Sequence, residues 1–174
     1  YIPGGGYRQV FSAVEFTPII NEWRKIYNVI AMRQTDQIKT VLNWLCCTNI
    51  LCKETQGNSK PHRDLAIGVA NLWLTEDMDA GTAFYSFKIG DKEFYTDVGM
   101  SDEELVIMNK TVFEDNIEGP FYAFNGDRNW RKLFVTPSEY NSAIIYQGRS
   151  FHGQYYDPND WPDDKVRYSF LSFL

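Results

Sequence analysis

Apolar positions along this chain recur in two rhythms, and the rhythm changes near residue 60. Ahead of that point, Ile19, Ile20, Trp23, Ile26 and Tyr27 return at helical spacing and predict a helix with one apolar face. Thr17 and Pro18 stand where an N-cap and a first helical residue belong. A second helix is predicted over about 36–46, with Ile38, Val41, Leu42 and Leu45 on its buried stripe. Residues 8–11 read as a short strand after a flexible, glycine-rich opening.

Beyond residue 60 the pattern becomes that of strands. Residues 65–74 form a nearly continuous apolar run, as a strand buried on both faces would. A polar turn over 76–81 leads to a second strand over 82–87, and Gly90-Asp91 makes a tight connection to Phe94-Tyr95. Further strands are predicted over 121–124, 132–135, 142–146 and 166–173, with turns at 125–127 and 147–148 and a polar, proline-punctuated loop over 157–164. Residues 99–119 interrupt the series. Ser101 followed by Glu104 is a capping-box signature for a helix through about Met108, and an acidic tail over 114–119 follows. This insertion is expected to lie over the mouth of a site. The elements together predict a mainly β (α+β) fold in one domain, 1–174, with helical support over 1–59 and a β core over 60–174.

Composition narrows the function classes. The 174 residues are 44% hydrophobic and 16% aromatic, enough for a packed core. A net charge of −6 argues against a general nucleic-acid-binding surface. No apolar run has membrane-spanning length, so no membrane association is expected. Cys46, Cys47 and Cys52 are an odd, clustered trio without histidines at zinc-finger spacing. They are expected to be reduced thiols near a helix end, which points to a reducing, cytoplasmic setting. The first residue is Tyr1, from which a processed or trimmed chain is expected.

The chemistry centres on Lys60-Pro61-His62-Arg63-Asp64 and on His152, because His62 and His152 are the only two histidines. His62 and Asp64 are two positions apart, so on an extended strand their side chains leave from one face. With His152 as a third donor they make two imidazoles and one carboxylate. Such a set fills one face of an octahedron and leaves the other positions open, the arrangement of non-haem Fe(II) oxygenases. Arg63, between the two, points to the opposite face and is expected to be structural.

Taken with its flanking sequence, this set resembles the Fe(II)/2-oxoglutarate-dependent oxygenases, particularly their prolyl-hydroxylase-like branch. The matching pieces are His62-Arg63-Asp64, the distal His152, and Arg167 on the last strand. Leu72-Trp73-Leu74 with Ala80-Gly81-Thr82-Ala83-Phe84-Tyr85 looks like that family's strand, small-residue turn and strand. Residues 140–146, leading through Gly148 to Phe151-His152, look like its approach to the distal ligand. The resemblance covers roughly 60–174. It implies a double-stranded β-helix, or jelly roll, with His62, Asp64 and His152 holding Fe(II). It also implies that Arg167 grips the distal carboxylate of 2-oxoglutarate, with Ser169 adding a hydroxyl bond. The implied reaction uses O2 to hydroxylate an unactivated C–H bond, with an amino-acid or peptidyl side chain as the target the resemblance favours, releasing succinate and CO2. A small molecule or a peptide is the implied substrate.

Three other readings compete. A jelly-roll binding or structural protein, such as a viral assembly component, would keep the fold without catalysis. A cupin-like metalloenzyme more often offers additional histidines. A serine or cysteine hydrolase lacks a nucleophile elbow here and would have to take a histidine from the iron set.

Overall fold

A computed structural model of the chain describes residues 7–11, 18, 21–23, 25–26, 46–51, 61–76, 80–113, 129–156 and 166–173. Nine strands and one long helix follow one another among them. The strands are β1 (Tyr7–Phe11), β2 (Cys46–Leu51), β3 (Gly68–Trp73), β4 (Ala80–Ile89) and β5 (Lys92–Phe94), then β6 (Trp130–Pro137), β7 (Ala143–Gln147), β8 (His152–Tyr156) and β9 (Arg167–Phe173). The helix α1 (Asp102–Phe113) lies between β5 and β6. Pro18, Asn21 to Trp23, Lys25 and Ile26 are helical, as the apolar spacing there predicts. No helix among the described residues is long and apolar enough to cross a membrane.

The strands form two antiparallel sheets. One runs β1-β2-β9-β3-β7, and the other runs β5-β4-β6 with β8 also paired to β4. The pairings nest. β2 runs antiparallel to β9, His62 bridges to His152, β3 runs antiparallel to β7, and β4 runs antiparallel to β6. Each nested pair therefore lies inside the one before it in sequence, and successive pairs fall alternately in the two sheets, as in a β-sandwich. The β3–β9 and β4–β8 ladders join neighbouring pairs within each sheet.

Side chains leave alternate faces of each strand, and β3 and β4 are buried on both. On β4, Ala83, Tyr85 and Phe87 face α1 and pack with Met108, Trp130 and Phe151, all at most 4% exposed. Trp130 meets Phe87 at 4.7 Å and Phe151 edge-on at 5.2 Å, so this aromatic cluster anchors the helix. The opposite face of β4 carries Thr82 and Phe84 toward the other sheet. There Phe84 meets Tyr146 of β7 edge-on at 5.2 Å. The candidate site lies on this inner side.

Several expectations need adjustment. Residues 65–67 precede β3 rather than belong to it, and Leu65 is exposed. Cys46 and Cys47 open strand β2 instead of closing a helix, because residues 46–51 are paired on both edges, to β1 and to β9. The helix of the insertion extends to Phe113, beyond the predicted end near Met108, and packs on the sheet through Leu105 and Met108; Met108 and Asn109 also line a cavity of about 100 Å³ with His62 and Arg63. The predicted helix over 36–45, the acidic tail over 114–119, the strand over 121–124 with its turn, and the loop over 157–164 lie outside the described residues.

Candidate metal centre

His62 and Asp64 sit on the extended segment before β3, and His152 opens β8. Two backbone hydrogen bonds lock these segments together: the His62 N–H donates to the His152 carbonyl at 2.8 Å, and the His152 N–H donates to the His62 carbonyl at 2.9 Å. In such a bridge the two side chains leave on the same side at close range. Their imidazole centroids are accordingly 4.5 Å apart. The Asp64 N–H donates to the Gly148 carbonyl at 2.8 Å, which holds the third donor in place. One donor atom from each of His62, Asp64 and His152 lies within 4.8 Å of the others, so the group could hold a metal ion.

The orientation of the His152 ring is set by its surroundings. Its Nδ1 lies 2.8 Å from the Ser150 carbonyl oxygen. A carbonyl only accepts, so Nδ1 carries a hydrogen, and Nε2 is the nitrogen turned toward Asp64. Nε2 faces Asp64 Oδ2 at 3.2 Å. A ring nitrogen and a carboxylate oxygen at that distance can share one proton or one metal ion. His152 is 4% exposed, whereas His62 reaches solvent, so the group has a closed side and an open one.

The donors open into a small cavity of about 50 Å³ between the sheets. Its walls include Asn71, Thr82, Tyr146, Gln154, Arg167 and Leu171. Arg167 is 2% exposed, and its guanidinium lies 4.4 Å above the Trp73 ring, a cation–π contact that orients it. Asn71 is 6% exposed, and its carboxamide oxygen has no hydrogen-bond partner. Half a turn of that amide would offer N–H donors to the same space. The Tyr146 ring meets the His152 ring edge-on at 4.7 Å. Burial, helped by the Asp64 charge, pushes the Tyr146 phenol far above its usual range, so it stays protonated.

His62, Asp64, His152 and Arg167, read from the sequence, thus share one cavity. Ser169 is buried on the same face of β9 as Arg167, but it lies beside Trp73 and outside the cavity lining. Arg63 is engaged from behind by Asp97. Sequence reasoning missed Asp97 and Arg149. In comparisons with known proteins, no family model and no curated protein matches this chain.

Proposed function

We propose that this chain is an Fe(II)- and 2-oxoglutarate-dependent dioxygenase that hydroxylates an unactivated C–H bond, built on a double-stranded β-helix. One observation carries the reading: two imidazoles and a carboxylate converge on a cavity whose wall also contains a buried guanidinium. The nested pairings support the fold part. A long antiparallel ribbon, closed at β4–β6 with successive pairs alternating between sheets, is the pairing order a jelly roll would require, and it supports that reading.

The residues suit the groups the reaction needs. Two nitrogens and one carboxylate oxygen are a donor set that Fe(II) accepts with positions to spare. Arg167 supplies a fixed cation for a dicarboxylate, and a guanidinium can grip a carboxylate with two parallel hydrogen bonds. The Asn71 amide is a second polar group in that wall awaiting a partner. When bound, ferrous iron and 2-oxoglutarate supply oxidative hydroxylation with O2, coupled to loss of CO2 and formation of succinate.

The chain's own share is orientation and exclusion of water. The Ser150 carbonyl keeps the hydrogen of His152 on Nδ1, so Nε2 remains a donor to metal. Tyr146 and Phe84 cover the His152 ring with apolar surface. Asp64 occupies a position that halogenating relatives of the family leave to chloride, which favours hydroxylation.

The test is anaerobic loading with Fe(II) and 2-oxoglutarate, followed by air. A visible charge-transfer band and succinate release are expected in the wild type, with both lost in Asp64→Ala. Absence of metal binding in the folded wild type would favour the non-catalytic jelly-roll reading.

A further inference from the structure

Behind the donors, on the side away from the cavity, one carboxylate gathers two guanidiniums. Asp97 lies between β5 and α1 and is 4% exposed. Its Oδ1 accepts from Arg149 Nε and its Oδ2 from Arg149 Nη2, both at 2.7 Å. The same Oδ2 pairs with Arg63 Nε. These partners are chemically placed. Arg63 is the residue between His62 and Asp64. Arg149 precedes Ser150, whose carbonyl fixes the His152 ring.

Backbone bonds reinforce the geometry. Thr96 bridges to Ser150, and the Phe151 N–H donates to the Tyr95 carbonyl at 3.0 Å. The stretch ending at Asp97 therefore lies alongside the stretch that delivers His152, while the Asp97 carboxylate reaches across to the stretch that delivers the other two donors.

We infer that Asp97 is a positioning residue for the metal centre: through Arg63 and Arg149 it sets the spacing of the His62-Arg63-Asp64 segment against His152. The inference rests on the metal reading of that centre. It has two physical parts. The ion pairs are directional, and a bidentate guanidinium–carboxylate pair fixes angle as well as distance. They also neutralise charge. Arg63 is only 24% exposed at its side chain, and without Asp97 its positive charge would stand uncompensated beside a site for a dication. Both effects weaken metal binding when the carboxylate is removed.

The experiment titrates the full-length chain with Co(II), whose visible bands report affinity and coordination geometry without turnover. Asp97→Asn is expected to bind Co(II) about 10-fold more weakly than the wild type, with altered bands, at the low end of the loss for direct outer partners of metal ligands because Asp97 acts through Arg63 and Arg149. Arg149→Lys keeps the charge, loses the two-pronged grip, and remains testable if Asp97→Asn does not fold, because half of its side chain is in solvent. It is expected to weaken binding in the same direction by a smaller factor. Ser101→Ala, at the start of α1, is the comparator for lost stability alone and should bind as the wild type does. If Asp97→Asn or Arg149→Lys melts lower yet binds Co(II) with wild-type affinity and bands, the positioning role is overturned and the cluster only stabilises the fold. If the wild type binds no Co(II), the metal reading itself fails, and the positioning role falls with it.

Discussion

Gly148 marks a tight constraint near the donors. Its carbonyl accepts from the Asp64 N–H and its N–H donates to the Ile67 carbonyl at 3.2 Å, so segment 64–67 is drawn against it. A Cβ built there would stand 2.3 Å from the Ala66 carbonyl oxygen, a backbone atom that cannot turn aside. Gly148→Ala must therefore push the Asp64 segment away from His152. Overpacking of this kind costs about 1–3 kcal/mol. Both the urea midpoint and the Co(II) affinity of this variant are expected to fall, and an unchanged midpoint would refute the close approach. The three candidate donors were legible in the sequence because few residue types bind metal ions and only two histidines are present. Asp97 was not: its bond to Arg149 spans 52 positions and leaves no periodic trace.

Among the elements, α1 shows local chemistry that sequence can announce. Ser101 Oγ accepts from the Glu104 N–H at 3.2 Å, and Glu104 Oε2 accepts from the Ser101 N–H at 2.8 Å, closing the reciprocal cap. Asp102, Glu103 and Glu104 place negative charge at the positive end of the helix, and Lys110 lies in its last turn. Ser101→Ala should cost about 1 kcal/mol. In a chain of this size that corresponds to a melting temperature lower by roughly 2–4 °C, measurable by circular dichroism. An unchanged melting temperature would mean that the cap contributes nothing. Strands β2 and β8 show the contrary case. Cys46–Leu51 has no strict alternation, and His152–Tyr156 contains Gly153 and Gln154, neither a strong strand former. Their conformation comes from partners distant in sequence: β9 and β1 for β2, and β4 for β8. Strand preference depends on such context, so these two elements escape a local reading.

Across the whole molecule, the Asp97 cluster joins three separated stretches, before β3, before α1 and between β7 and β8, and this makes its ionisation a global matter. Burial pushes the Asp97 carboxyl up, but the hydrogen bonds and charges of Arg149 and Arg63 override it and hold the group below the usual carboxylate range. The sign of the consequence follows from linkage. A carboxyl that ionises more readily in the folded chain binds fewer protons there than in the unfolded chain, so folding is favoured wherever the unfolded group is already ionised. That contribution is full above the unfolded aspartate value of about 3.9 and is lost as pH falls through the lower folded value. Other carboxyls titrate in the same window, so the informative quantity is a difference. The denaturation midpoint of the wild type should decline more steeply below about pH 4 than that of Asp97→Asn, and the two curves should converge at the acid end. Parallel curves between pH 5 and pH 2 would show that the two guanidiniums do not favour the ionised carboxylate. The cluster would then hold the three stretches together by shape alone.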